Sequence, residues 1–350
     1  MRFFHTADIH LGAVPDTGFA WSREREKEIW ESFRRLIGKA KEEQIDLLLI
    51  AGDLFHRQPL LRELKEVNYL FSGLSHTKVV LIAGNHDYLK RDSYYHRFSW
   101  NENVLFLGED RCGHVEFKDI ETSIYGFSYA SREIREPLYD SICVESDRCF
   151  KILLAHGGDE KHIPIDRRKL MTSGFDYIAL GHIHKPQVLV PGRAAYAGAL
   201  EPLERNDTGP HGYLDGVWEG GRLSLDFVPW ACREYVSLEI GSDERQTDYS
   251  MRNRIVKMIE KRGKEHIYKI RISGFRDPDI VFHTEVYSDL GNIVEVLDDS
   301  EPAYDFGKLL ESHREDLVGA YIEELYRPGM GSTEKKALYY GVQALLGQKG

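Results

Sequence analysis

Short apolar runs alternate with longer stretches in which apolar residues return every third or fourth position. The runs at residues 2–6, 46–50, 78–82, 104–107, 123–127, 150–154 and 177–180 are strand-length and bounded by polar or glycine-containing segments. Between the first two, Ile29, Trp30, Phe33, Leu36, Ile37 and Ala40 recur at helical spacing. That spacing predicts a helix over residues 23–43 with one face on a sheet and Ser22 as its N-cap. A second helix follows at residues 62–74, so the chain opens β-α-β-α-β. Residues 213–218 and 222–228, joined by Glu219-Gly220-Gly221, form a hairpin that closes the unit. The fold class is α/β, with α+β layering.

After Pro229 the pattern changes. Strands at 234–240, 267–273 and 293–297 alternate with helices at 249–262 and 279–288, a small α+β unit that suits docking on a larger one. Acidic residues 298–301 with Pro302 form a short linker. Two helices follow, one striped by Phe306, Leu309, Leu310, Leu317, Tyr321 and Leu325, the other by Leu338, Val342, Leu345 and Leu346. The expected domains are therefore 1–230, 234–300 (an α+β capping domain) and 304–350 (a C-terminal helical pair).

With 42% hydrophobic and 29% charged residues, the 350-residue chain has the composition of a folded soluble protein, not a disordered one. Its apolar runs are far too short to span a bilayer. The first residues, Met1-Arg2-Phe3-Phe4 and then His5 and Asp8, carry no secretory segment, and the four cysteines include no CxxC pair. These features predict a cytoplasmic protein with no membrane partner. The net charge of −11 does not advertise a nucleic-acid binder. More informative is the placement of the fifteen histidines.

Five motifs sit where an apolar strand ends and a loop begins: Asp8-Ile9-His10, Gly52-Asp53, Gly84-Asn85-His86-Asp87, His156-Gly157 and Gly181-His182-Ile183-His184. Side chains from separate strands converge at that edge of an α/β sheet. Residues two apart in extended chain point the same way, so Asp8/His10 and His182/His184 can each present two groups to one site. Two carboxylates, four imidazoles and one amide oxygen, without a thiolate, suit Mn²⁺, Fe²⁺ or Zn²⁺ better than Ca²⁺. They exceed one tetrahedral ion and suit two ions sharing a carboxylate. Such a pair, ~3.5–4 Å apart, can hold a hydroxide nucleophile and clamp a phosphoryl group in in-line displacement.

The order D-x-H, GD, GNHD, H-G, GHxH resembles the calcineurin-like metallophosphoesterase superfamily. The fuller strings His5-Thr6-Ala7-Asp8-Ile9-His10-Leu11-Gly12, Ala51-Gly52-Asp53-Leu54-Phe55-His56 and Ala179-Leu180-Gly181-His182-Ile183-His184-Lys185 resemble its SbcD nuclease branch, and within it the YhaO-like DNA repair exonucleases. The resemblance implies a metallophosphoesterase sandwich. It implies one ion on Asp8, His10, Asp53 and His184, and another on Asp53, Asn85, His156 and His182, with manganese favoured and iron or zinc as alternatives. His86 would assist departure of the leaving oxygen, with Asp87 orienting its ring. The implied activity is a two-metal DNA nuclease acting in repair with an SbcC-like coiled-coil ATPase, gripped by the C-terminal helices, and a homodimer is implied as well.

Two alternatives stand beside it: a hydrolase of small phosphoesters or cyclic nucleotides, and a catalytically idle scaffold for an ATPase. His56, Arg205 and His211 are further candidates for touching substrate. Arg23, Arg25, Arg91, Arg97, Arg132, Arg135, Arg193 and Arg205 are scattered candidates for DNA phosphates.

Overall fold

The apolar runs become strands covered on both faces. The computed structural model describes residues 1–108, 111–144 and 149–347, which divide into two units, Met1–Tyr235 and a second beginning at Val236. In chain order the first unit contains β1 (Arg2–Thr6), α1 (Ser22–Glu42), β2 (Leu47–Ala51), α2 (Leu61–Ser72), β3 (Lys78–Ile82) and β4 (Val104–Phe106). Next come β5 (Gly113–Phe117), β6 (Thr122–Gly126), β7 (Phe150–His156), α3 (Arg167–Thr172), β8 (Tyr177–Gly181), β9 (Gln187–Val190) and β10 (Ala194–Tyr196). The hairpin β11 (Gly212–Glu219) and β12 (Arg222–Pro229) ends the series.

These strands form two six-stranded sheets, ordered β12-β11-β1-β2-β3-β4 and β5-β6-β7-β8-β10-β9. Strands β1 to β4 run parallel, as do β6, β7, β8 and β10, with antiparallel strands only toward the edges. Alternate side chains explain the layering. Phe3, Leu47, Leu49 and Ile82 meet Ile124, Ile152, Leu154 and Tyr177 between the sheets. On the reverse of the first sheet, Phe4, Leu48, Ile50 and Leu81 meet Phe33 and Leu36 of α1 and Leu64, Val67 and Phe71 of α2. On the reverse of the second, Leu153, Ile178 and Leu180 lie under Tyr139, Ile163 and Leu170. The result is a two-sheet sandwich with helices on its outer faces, as expected. Both faces being covered is why β2 reads Leu-Leu-Leu-Ile-Ala without a polar residue.

Several local expectations are corrected. Ser22 lies inside α1, which has no side-chain cap, and its hydroxyl donates to the Pro15 carbonyl instead (2.8 Å). A cap is worth only ~1 kcal/mol, whereas burying one large apolar side chain contributes roughly 1.5–3 kcal/mol, so the buried stripe of α1 outweighs the missing cap. Arg25, a candidate for DNA, is fully buried. It donates to Glu28 (2.7 Å), Glu201 (3.2 Å) and the Pro202 carbonyl (2.7 Å), while Glu201 also accepts from Ser32 (2.5 Å) and the Cys232 amide (2.6 Å). This network staples α1 to the loop after β10. The edge strands β5 and β9, partly polar, and the three-residue strand β10 between β8 and β9 have no counterpart among the predicted runs.

The second unit has a sheet of β13 (Tyr235–Ser242), β14 (Ile267–Arg276) and β15 (Ile293–Asp298), with β16 (Glu301–Pro302) also on β14. Helix α4 (Asp248–Arg262) packs Met251, Ile255 and Ile259 against Ile240, Tyr268 and Ile270. The expected helix at 279–288 is a 3₁₀ segment, Thr284–Leu290, and part of the expected linker is strand β16. The first C-terminal helix is two, α5 (Phe306–Ser312) and α6 (Leu317–Leu325), followed by α7 (Ser332–Gly347). Asp316 causes the break by accepting from the amides of Val318 and Gly319 at the start of α6. The last three residues of the expected 304–350 segment lie outside the described residues. No helix among the described residues is long and apolar enough to cross a membrane.

All five tryptophans (Trp21, Trp30, Trp100, Trp218 and Trp230) belong to the first unit, so their fluorescence follows its unfolding. Arg25→Ala leaves Glu201 buried without its cation and should cost that unit about 3–5 kcal/mol in urea denaturation. Arg34→Ala, which breaks the exposed pair with Glu66, should cost less than about 1 kcal/mol. Equal effects would contradict the role given to the staple.

Candidate metal centre

The motif residues meet because parallel strands from both sheets end at one rim. Asp8 and His10 follow β1, Asp53 follows β2, Asn85 to Asp87 follow β3, His156 ends β7, and His182 and His184 follow β8. The β1 and β2 loops continue side by side beyond the sheet, through Asp8 N to Gly52 O (3.1 Å), His10 N to Asp53 O (3.0 Å) and Leu11 N to Leu54 O (2.9 Å). Four motif residues, Asp8 (φ 50°), His10 (φ 53°), Asp53 (φ 50°) and His182 (φ 98°), take left-handed backbone conformations that non-glycine residues normally avoid. Such strain concentrates at functional sites, where the surroundings over-determine it.

Asp53 stands at the middle. One carboxylate oxygen, Oδ1, accepts from the His86 amide (2.8 Å), and Oδ2 lies 3.4 Å from His156 Nε2 and 3.7 Å from His10 Nε2. Asn85 Oδ1 lies 2.9 Å from His156 Nε2 and 3.1 Å from His182 Nδ1. Asp8 accepts from the His182 amide with both oxygens (3.1 and 2.9 Å). Donor atoms of Asp8, His10 and His184 cluster within 4.8 Å, as do those of Asp8, Asp53 and His156. The seven expected ligands are thus brought to one place, with Asp53 reaching both sides of it. Gly84 makes room for this: a Cβ there would lie 2.3 Å from Asp53 Oδ1 and 2.7 Å from His156 Nε2.

Each imidazole has one nitrogen tied outward. The Nδ1 of His156 meets the Ala51 carbonyl (2.9 Å), and that histidine's backbone is held by Tyr129 and Tyr139. Nδ1 of His10 meets Nδ1 of His56 (3.3 Å). Nε2 of His182 meets Asp159 (2.8 Å), and Nδ1 of His184 meets Asp207 (3.1 Å).

The electrostatics show a site short of positive charge. Burial pushes the Asp8 carboxyl up to about 6 against the pull of His156 and His184. Burial also acts upward on Asp53, but His156 together with His10 and His86 outweighs it and holds that carboxyl well below the usual range. Burial disfavours charge on His156 and His184, yet Asp53 raises the first to about 9, and Asp207 with Asp8 raises the second to about 9. Burial and the neighbouring His156 lower His182 to about 4. The carboxylates therefore draw protons onto whichever imidazoles can take them.

The donor set fits divalent cations. His10 Nε2 is buried with no hydrogen-bond partner. A carboxylate only accepts, so neutral His182 places its proton on Nε2 and presents a bare Nδ1 to Asn85 Oδ1. Two acceptors 3.1 Å apart in a half-buried site favour a cation that both can bind.

Asp87 is not the orienter of His86. It is fully buried, and it accepts from the amides of Gly84 (2.8 Å) and Phe55 (3.2 Å) and from the Tyr95 hydroxyl (2.8 Å), tying the β3 loop to the β2 loop. Burial and the Asp53 charge push its carboxyl up to about 7. The half-buried ring of His86 is held instead at Nδ1 by the His56 carbonyl (3.0 Å). His56 itself joins the cluster, its ring 5.0 Å from that of His86. In the loop 201–212, Arg205 lies over the ring of Phe19, and His211 is buried against the Gly209 carbonyl. Their neighbour Asp207 reaches the site. Asp159, His162 and Asp207 escaped sequence reading because none belongs to a strand-end motif.

Residues 1–186 match the family model of calcineurin-like phosphoesterases. The chain is 32% identical over 251 residues to the uncharacterized metallophosphoesterase YhaO of Bacillus subtilis, an alignment covering 65% of this chain and 60% of that protein. It is 32% identical over 270 residues to the DNA double-strand break repair protein Mre11 of Methanocaldococcus jannaschii, covering 69% of each. To the Mre11 of Methanopyrus kandleri it is 26% identical over 320 residues, covering 80% of this chain and 70% of that protein.

Gly84→Ala should abolish tight Mn²⁺ binding in isothermal titration while circular dichroism stays native, because the added methyl displaces Asp53 or His156. Gly38→Ala, on an open face of α1, is the control and should bind as wild type. Unchanged binding by the Gly84 variant would contradict the geometry assigned to the centre.

Proposed function

Because the chain belongs to the calcineurin-like phosphoesterase family of metal-dependent phosphoester hydrolases, we propose that it is a two-metal DNA nuclease of the SbcD type, acting in DNA repair. The observation that carries this reading is the position of Asp53 Oδ2 between His156 Nε2 (3.4 Å) and His10 Nε2 (3.7 Å), so that one carboxylate serves two half-sites. The DNA substrate is supported by relatives named as DNA double-strand break repair proteins.

In this reading Asp8, His10, Asp53 and His184 hold one ion, and Asp53, Asn85, His156 and His182 hold the other, with Mn²⁺ favoured by the mixed oxygen and imidazole donors. Bound there, the ions supply charge neutralisation and activation of water for in-line phosphoryl displacement. The chain's own residues do the rest. His86 follows the ligand Asn85 and keeps its ring in place by donating Nδ1–H to the His56 carbonyl, so in its imidazolium form the second proton, on Nε2, is the one handed to the departing sugar oxygen, leaving the neutral ring. Asp87 positions the loop that carries both. The helical segment from residue 304 presents Leu317, Tyr326 and Tyr340 to solvent, which supports docking of an SbcC-like coiled-coil ATPase. A homodimer and a cytoplasmic location belong to the same reading.

His86→Ala should keep Mn²⁺ affinity and lower DNA cleavage by about 10²–10⁴-fold. Loss of metal, or retained cleavage, would contradict the role of His86. Wild-type protein should hydrolyse duplex DNA and a bis-aryl phosphodiester in preference to a phosphomonoester. A monoester preference would replace the nuclease by a phosphatase, and no hydrolysis at all would favour the scaffold.

A further inference from the structure

Two carboxylates outside the five motifs touch the centre, and nothing in the proposed chemistry uses them. Asp159 lies in the loop after β7. Its Oδ1 accepts from the amides of Lys161 (2.8 Å) and His162 (3.0 Å), which locks it to its own loop. Its Oδ2 accepts from Nε2 of His182 (2.8 Å), and Nδ1 of His162 lies 2.9 Å from both oxygens. Asp207 lies in the loop after β10. Its Oδ2 accepts from the amides of Leu203 (3.0 Å) and Glu204 (3.1 Å) and lies 3.1 Å from Nδ1 of His184. Both are built alike: a carboxylate anchored by two backbone amides and aimed at the outward nitrogen of one histidine of Gly181-His182-Ile183-His184.

We infer that Asp159 and Asp207 are positioning residues that select which nitrogen each of these histidines offers to a metal ion; the inference rests on the two-metal reading. A carboxylate can only accept a hydrogen bond, so each fixes the ring proton on the nitrogen facing it. His182 is left to bind through Nδ1, and His184 through Nε2. Two histidines two residues apart thus present opposite nitrogens, which lets one short loop feed two half-sites.

Exposure explains why these two rings have carboxylate partners. His156 is fully buried and a neutral carbonyl, Ala51 O, holds its ring. The side chains of His182 and His184 are 13% and 23% exposed, so water competes for their outward nitrogens, and a charge-assisted bond holds better there. The carboxylate also makes the ring a stronger donor to a cation.

The test compares Mn²⁺ binding by isothermal titration in wild type, Asp159→Ala, Asp159→Asn, Asp207→Ala and Asp207→Asn. It is paired with nitrogen-15 NMR of the histidine rings in the Zn²⁺-loaded proteins. Wild type should bind two Mn²⁺, with the ring proton of His182 on Nε2 and that of His184 on Nδ1. Each alanine variant should bind about 10–100-fold more weakly and lose the slowly exchanging ring proton of its own motif histidine but not of the other, with His162 released as well in Asp159→Ala. Each asparagine variant, which keeps an accepting oxygen without the charge, should keep the proton's position and lose less affinity. Tryptophan fluorescence should show native folding throughout. Wild-type affinity and unchanged ring protons in both alanine variants would overturn the inference while leaving the two-metal reading intact. Failure of wild type to bind Mn²⁺ would remove the two-metal reading itself. A third ion, lost in Asp159→Ala without weakening the other two, would also overturn the inference, since Asp159 with His162 and His182 would then be a ligand set of its own.

Discussion

Two buried carboxylates, Asp8 and Asp53, set the terms for the rest of the first unit. A charge taken out of water is tolerated only if it is paired and hydrogen-bonded. Here the pairing comes from imidazoles on three different strand ends and the hydrogen bonds from the His182 and His86 amides. Two sheets are needed because no single strand end could bring so many donors to one point. The layers of leucine, isoleucine and phenylalanine beneath hold the convergence rigid.

That rigidity lets strained backbone persist. Left-handed residues other than glycine cost of order 1–3 kcal/mol each where nothing compensates. At Asp8, His10 and Asp53 the compensation is the β1–β2 pairing that runs on past the sheet into the loops. Asp87 adds a clasp from below by joining the β2 and β3 loops, and Gly84 supplies the clearance for Asp53 and His156. The net −11 of the chain is therefore a poor guide to this rim, where loading with dications would make an attractive pocket for phosphate.

Much of this was legible in the sequence. The strand runs and the stripes of α1 and α2 follow from local periodicity, and the strand-end motifs give the donors. The misses share a cause. Ser22 has the chemistry of a cap and Asp87 the adjacency of an orienter, but each found a stronger partner brought in by the fold: the Pro15 carbonyl for one, two amides and Tyr95 for the other. The split between α5 and α6 turned on one hydrogen-bonded aspartate, Asp316, that an apolar stripe does not register.

The chain's local order determined the layered class, the donor atoms at the strand ends and the kind of ion they suit, since these depend on residue type and on spacings of two to four positions. Only the tertiary structure decided which nitrogen of each imidazole faces inward and what holds it there. Asp159 and Asp207 each stand 23 residues from the histidine they meet, one before and one after it. Contacts across such separations are set by how sheets and loops pack, and no periodicity along the chain encodes them.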